Sequence, residues 1–341
     1  MFGTNRSSVE QRLLRAWYGD RWWLVFLRPL SWLFDRSVIL RRRRLQAKFQ
    51  GAAFAVPVAV VGNISVGGSG KTPFIIALVK ALATNGIVAG IVSRGYGGRA
   101  KAYPLSVSPD TKVDDCGDEP RLLALELAHL NCPIVVDPER VAAVQHLLAS
   151  HSVDIVLSDD GLQHYRMHRD IEIALIDGHR GLGNGRTLPA GPLREPPQRL
   201  SEVDFTLING PSDIKGIDTD GLISLQPSVF RHLASNKCIA PIDWDQSKAV
   251  HAVAAIGNPQ RFAASLESLG LEVSLHGKND HKVLTRCDLN FGDQLPVIIT
   301  GKDAVKLVEP APENLWVLEV EMVLDTQFVD CFIKRANLDK S

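Results

Sequence analysis

A chain of 341 residues, 45% apolar and 22% charged with a formal net charge of zero, is longer than one typical domain, and its composition excludes both wholesale disorder and a polytopic membrane protein. The charge is uneven, because residues 1–50 hold eleven Lys/Arg against three acids and leave the remainder correspondingly acidic. Five cysteines (Cys116, Cys132, Cys238, Cys287, Cys331) form no CxxC pair, zinc spacing or even disulfide framework. That pattern suits a reducing compartment, and no secretory signal is visible at the N-terminus.

Within residues 1–50, two apolar runs, 22–27 and 29–34, are split by Arg28, and neither approaches the roughly 20 residues that span a bilayer. Trp17, Trp22, Trp23 and Trp32 stand among arginines, with Arg41 to Arg44 following. Indole beside guanidinium suits the headgroup level, and four arginines add attraction for anionic lipid. The segment is expected to be an amphipathic, basic and aromatic membrane-surface anchor. The alternatives are a helix packed on the protein's own core and a nucleic-acid patch. Against the patch, the aromatics cluster with Leu, Val and Phe.

Residues 56–61 form a short apolar β-branched run, 63–70 a Gly/Ser-rich loop, and 71–82 a helical period. Strand, loop and helix carry Ser65-Val66-Gly67-Gly68-Ser69-Gly70-Lys71-Thr72, the make-up of a nucleotide-binding loop. Glycines let backbone N–H groups turn onto phosphates, the helix N-terminus adds its dipole, Lys71 reaches the β and γ phosphates, and the Thr72 hydroxyl holds Mg²⁺. Ser65 stands where the usual pattern has glycine.

Further α/β units follow: strands at 87–92, 133–136 and 153–157, and helices at 119–130 and 139–150. The last of these strands ends in Ser158-Asp159-Asp160-Gly161. A carboxylate at the end of an apolar strand, beside a phosphate loop, orients Mg²⁺ or its water shell. Asp159 and Asp160 are both candidates. After a strand at 204–208, residues 214–241 read as a polar, irregular junction. A fresh α/β pattern then begins, with strands at 250–256, 271–275, 296–300 and 315–322, a helix after Gly257-Asn258-Pro259, and a closing helix over 325–335. The expected fold is α/β with two α/β/α lobes: a P-loop NTPase-like kinase domain over 51–245 and a smaller C-terminal lobe over 246–341, preceded by the anchor of 1–50.

In chain order, Asn63 to Pro73, Ser93-Arg94-Gly95-Tyr96-Gly97, Gly117-Asp118-Glu119-Pro120, Asp137-Pro138-Glu139-Arg140, Asp159-Asp160-Gly161-Leu162-Gln163-His164 and Pro189 to Pro196 resemble the signature segments of the tetraacyldisaccharide 4'-kinase (lipid A 4'-kinase) family, with a likeness running from about residue 15 to about 335. The resemblance implies a peripheral enzyme on the cytoplasmic face of the bacterial inner membrane. It would move the γ-phosphate of ATP, with Mg²⁺, to the 4'-hydroxyl of a tetraacylated glucosamine disaccharide 1-phosphate, making a lipid A precursor. Its partners would be that acylated lipid and the membrane surface, with no nucleic acid and no obligate protein partner. By the same resemblance Asp118 pairs with His281 as the catalytic base, and Glu119, Arg140, Asp160, His164 and Glu195 are further active-site positions, Glu119 among the metal-serving ones. Gly301 and Lys282 depart from the family's usual residues. The residues alone leave two other classes open: a partner-coupled ATPase, marked by turnover without acceptor, and a non-catalytic binding protein with a degenerate nucleotide fold. No guanine-reading Asn-Lys-x-Asp ends a suitable strand.

Overall fold

The computed structural model describes residues 12–19, 21–49, 53–211, 214, 216–279, 282–307 and 312–339. A short 3₁₀ turn, Trp22–Leu27, leads into helix α1 (Arg28–Phe49), and strand β1 (Val58–Gly62) then opens the sheet. Helix α2 (Lys71–Thr84), β2 (Ala89–Ser93), β3 (Leu105–Val107), α3 (Asp118–Glu126), β4 (Ile134–Val136), α4 (Arg140–Ser150), β5 (Ile155–Asp159), β6 (Ile171–Asp177) and β7 (Phe205–Asn209) complete the larger half. Beyond it run β8 (Gly221–His232), β9 (Cys238–Ile239), β10 (Ala249–Ala254), α5 (Pro259–Ser268), β11 (Glu272–Gly277), β12 (Val297–Thr300), α6 (Gly301–Ala304), β13 (Leu315–Val323) and α7 (Thr326–Arg335).

The strands join in the order β11-β10-β12-β13-β8-β7-β6-β1-β5-β2-β4-β3, with β9 on β8. β1, β2, β4, β5, β6 and β7 are buried along their whole length and pair in parallel. That explains why they read as continuous apolar runs: a parallel strand covered by helices on both faces has no polar side to alternate with. β1 lies between β5 and β6, while the chain leaves it through α2 for β2, one strand further out. Such a reversal of winding opens a crevice at the C-terminal ends of the strands, where open α/β sheets bind ligands.

Several elements differ from expectation. The junction at 214–241 contains the twelve-residue strand β8, parallel to β7 at its start and antiparallel to β13 along its length, with a register shift where Pro227 faces Val320. Proline and a bulge disrupt alternation, so the segment reads as irregular although it joins the two halves of the sheet. β6 was not foreseen at all. The last helix, expected with 246–341, packs Phe328, Val329, Phe332 and Ile333 into the larger half's core beside Phe74 and Phe205.

At the N-terminal side, Ala16, Trp17 and Leu24 are buried against Leu13, Leu14, Tyr18, Leu27, Val66 and Leu188. Ser31 Oγ donates to the Thr187 carbonyl at 2.8 Å, and the Trp17 indole donates to that of Pro189 at 3.0 Å. The segment is thus seated on the larger half, yet Trp22, Phe26, Leu30, Trp32, Leu33 and Leu40 stay exposed. Among the described residues no helix is long and apolar enough to cross a membrane.

Candidate active site

A cleft of about 2810 Å³ runs along the C-terminal strand ends, lined by both halves of the molecule and by Leu13, Trp17 and Leu45 of the N-terminal segment. It is several times larger than a typical small-ligand pocket. Its floor is the loop between β1 and α2. Gly67 and Gly70 take φ of +112° and +88°, left-handed values that let the backbone fold under a ligand at little steric cost. Asn63 Nδ2 donates to the Gly67 carbonyl at 3.1 Å and ties the loop at its neck. Ser65 forms a bridge with Leu193, while the Val66 amide donates to Pro192 and the Arg194 amide to Ile64. The segment 189–196 therefore braces this loop from the side.

Lys71 and Thr72 begin α2, as expected, and both line the cleft. Lys71 Nζ lies 3.4 Å from Asp160 Oδ1, and Arg194 reaches the other oxygen at 3.5 Å. Asp159 and Asp160 follow one another at the end of β5 but live in different environments. Asp159 is buried, receives a long hydrogen bond from Ser93 Oγ at 3.4 Å, and leaves Oδ1 without a protein partner. Burial, then the charge of Glu119, raises its pKa. Burial pushes Asp160 the same way, but Lys71 and Arg194 outweigh it and hold that carboxyl below its ordinary value.

These residues fit a magnesium nucleotide. The Ser69 hydroxyl and Asp159 Oδ1 are buried polar atoms lacking protein partners, and a Cβ on Gly68 would meet nothing within 4 Å. No group of three or more His, Cys, Asp or Glu side chains among the described residues forms a metal cage. Mg²⁺ bound with a nucleotide takes one or two protein oxygens beside the substrate phosphates and needs no such cage.

The remaining candidates gather around this floor. Arg140 is buried at the start of α4, and it donates to the carbonyls of Asp137 at 3.0 Å and Asp159 at 3.3 Å. Burial lowers its pKa to about 10. His164 is pushed down to about 4 by burial and then by Arg140, Arg169, Arg166 and Arg94, so its ring is neutral at pH 7. Glu195 is buried behind the cleft wall, taking hydrogen bonds from the Tyr165 hydroxyl and, at 2.7 Å, from Gln163 Nε2, with Arg199 at 3.4 Å. Expected among the active-site groups, it does not itself line the cleft but supports Gln163 and Tyr165, which do.

Asp118 is buried at the first position of α3, after Gly117. Glu119, expected to serve the metal, accepts from Lys302 Nζ at 2.9 Å, and the same ammonium lies 3.8 Å from Asp118. His281 lies outside the described residues. The chain on either side of it is anchored, since Lys278 and Lys282 each reach the Asp288 carboxylate at 2.9 Å.

Several participants were missed from sequence. Asn209 donates to the Ser69 carbonyl at 3.0 Å and accepts from Arg261 at 2.8 Å, and Arg261 also lies 3.7 Å from Asp177. Arg261, on α5, thereby links the smaller half to the phosphate loop. Asn209 and Asp177 end adjacent strands, a position that marks candidates in this kind of sheet. For Arg261 no local signal existed, and Lys302 was marked only by its place beside Gly301 in the segment 300–306 compared with the family.

Residues 23–337 match the model of the LpxK family, tetraacyldisaccharide-1-P 4'-kinase. The chain is 45% identical over 329 residues to the tetraacyldisaccharide 4'-kinase of Pseudomonas fluorescens (strain Pf0-1), covering 95% of this chain and 96% of that one. It is 42% identical over 331 residues to the same-named protein of Methylobacillus flagellatus, covering 96% and 97%. Among solved structures it resembles the "apo" form of LpxK from Aquifex aeolicus in complex with ATP, with a TM-score of 0.74 and 25% identity over 92% of this chain and 99% of that one.

Proposed function

The chain belongs to the tetraacyldisaccharide-1-P 4'-kinase family, and from that premise we propose that it transfers the γ-phosphate of ATP to the 4'-hydroxyl of a tetraacylated glucosamine disaccharide 1-phosphate. The observation that carries this reading is the phosphate loop Ser65–Thr72 facing Asp159 and Asp160, in a cleft whose wall holds Glu119, with Asp118 buried next to it.

In the reaction the sugar oxygen forms a bond to the γ-phosphorus, the bond from that phosphorus to the β–γ bridging oxygen breaks, and ADP leaves. Such a transfer asks the protein mainly for positioning and charge neutralisation. The loop amides and Lys71 hold the β and γ phosphates, and Arg140 and Arg194 add positive charge nearby. Thr72 with Asp159 and Asp160 would hold Mg²⁺, which when bound neutralises phosphate charge. Asp118, with His281 as its partner, takes the proton of the attacking hydroxyl. His164, kept neutral by burial and the arginines around it, offers its ring as a hydrogen-bonding group in the wall.

The acceptor carries four acyl chains and stays in a bilayer, so the protein would work at the cytoplasmic face of the inner membrane, needing no protein partner. Exposed Trp22 and Phe26 on the 3₁₀ turn and Trp32 and Leu33 on α1, with Arg41, Arg43 and Arg44 further along α1, suit that interface. Leu13, Trp17 and Leu45 of the N-terminal segment line the cleft, which supports an approach of the lipid from this side.

The test is transfer of labelled γ-phosphate from Mg-ATP to detergent-dispersed tetraacyldisaccharide 1-phosphate, alongside Lys71→Ala and an acceptor-free control. Label should appear on the lipid with the parent and fall by roughly 10²-fold or more in the variant. Phosphate release that ignores the acceptor would point to an ATPase instead.

A further inference from the structure

We propose that Lys302 is a positioning residue for phosphoryl transfer, reaching from the smaller half across the cleft to hold the Asp118–Glu119 pair in working geometry. The inference rests on the kinase reading given above, and names a residue whose role that reading does not supply.

The mount is rigid. Lys302 sits on α6, a single turn capped by Thr300, whose hydroxyl donates to Asp303 Oδ2 at 2.8 Å and receives the Asp303 amide at 3.2 Å. Asp303 is fully buried, accepts from the Ala255 amide at 3.1 Å, and is paired with Lys306 at 2.8 Å. The turn is therefore bolted to the end of β10. Its approach to α3 is close: a Cβ on Gly301 would stand 3.1 Å from Glu319 Oε2 and 3.9 Å from Leu122. Glu319 is itself fixed by Arg231 at 2.6 and 2.8 Å.

From this base the Lys302 ammonium meets two adjacent carboxylates, Glu119 at 2.9 Å and Asp118 at 3.8 Å, a contact spanning 183 positions in sequence. An exposed ion pair contributes little to stability. Here Lys302 and Glu119 face the cleft, while Asp118 is buried and is the proposed base. Two neighbouring anions at the start of one helix repel, and a cation beside both offsets that repulsion and fixes their orientation. The contact also sets the distance between the end of β12 and α3, and so the width of the cleft where the acceptor hydroxyl must meet the γ-phosphate. Misplacement by about 1 Å in such a site costs on the order of 10²-fold in rate.

The experiment compares the full-length parent, Lys302→Met, Lys302→Arg, Glu119→Gln and the Lys302→Met/Glu119→Gln double variant in the labelled-phosphate assay, with fluorescent ATP-analogue binding and thermal melting as further readouts. The expected result for Lys302→Met is a kcat lowered by about 30-fold or more, with the KM for Mg-ATP and analogue affinity within about threefold of the parent. Lys302→Arg, which keeps the charge, should recover about tenfold of that loss. The double variant should be within about threefold of the weaker single variant, because residues acting as a unit are non-additive. A Lys302→Met kcat within threefold of the parent, equal impairment of the Met and Arg variants, multiplying effects in the double variant, or a Met variant that melts below assay temperature would each overturn the proposal. A parent that fails to label the lipid would instead sink the kinase reading.

Discussion

Gly70 occupies a left-handed conformation at the N-cap of α2, and a side chain there would collide with the Asn209 amide. Because Asn209 also holds the Ser69 carbonyl and Arg261, Gly70→Ala combines backbone strain of about 1–2 kcal/mol with a disturbed loop. Affinity for the fluorescent ATP analogue should fall at least tenfold. His164 gives a second test at this scale. Its folded pKa, about 4, lies below the ordinary histidine value of 6.5. Between those values the unfolded chain binds a proton that the folded protein refuses, so stability rises with pH across this window and is lost as pH falls from about 6.5 towards 4. The drop in melting temperature between pH 7 and pH 5.5 should be smaller for His164→Gln than for the parent. An equal drop would show that His164 titrates normally.

At the level of elements, α7 has the clearest consequence. Phe332 is fully buried among Phe328, Phe205 and the α2 side chains of the larger half. Phe332→Ala should cost about 3–5 kcal/mol, seen as a lower denaturant midpoint with ATP-analogue binding lost in the same transition. The order of α2, β2, α4 and β5 was legible because glycine chemistry, apolar runs and helical periods are local signals. β6 was not read, although Ile171, Ile173 and Leu175 are apolar, because Glu172 interrupts the run. That residue is buried in the company of two arginines, Arg169 at 3.2 Å and Arg199 at 2.6 Å, the latter from 27 positions away. β8 was obscured by Pro227 and its bulge. For the site, Lys71, Thr72, Asp159 and Asp160 could be read from a motif, and Asp118 and Arg140 only through the family resemblance. Lys302 and Arg261 depend on tertiary contacts that no short window contains.

Across the whole molecule the charge asymmetry of the sequence becomes a spatial one, with an arginine-rich helix at one end and the exposed aromatics beside it. A Trp22→Ser/Phe26→Ser/Trp32→Ser variant should sediment with anionic vesicles at least about tenfold less than the parent, with the melting temperature little changed because these side chains face outward. Undiminished sedimentation would assign the exposed side chains another role. Arg42, on the same helix, is ion-paired with Glu202 and stands 5.6 Å over the Tyr165 ring, joining this face to the wall of the cleft.

β8 has a mechanical consequence. It is hydrogen-bonded to β7 at one end and to β13 along its length, so the two halves share a continuous ladder where a slack tether would allow free rotation. Relative movement must then flex or twist that shared strand like a leaf spring, most easily where the bulge at Pro227 interrupts its pairing. A spring of this kind permits a small, directed stroke and returns by itself. That suits a kinase whose cleft is lined by both halves, since a short stroke can narrow it without breaking the sheet.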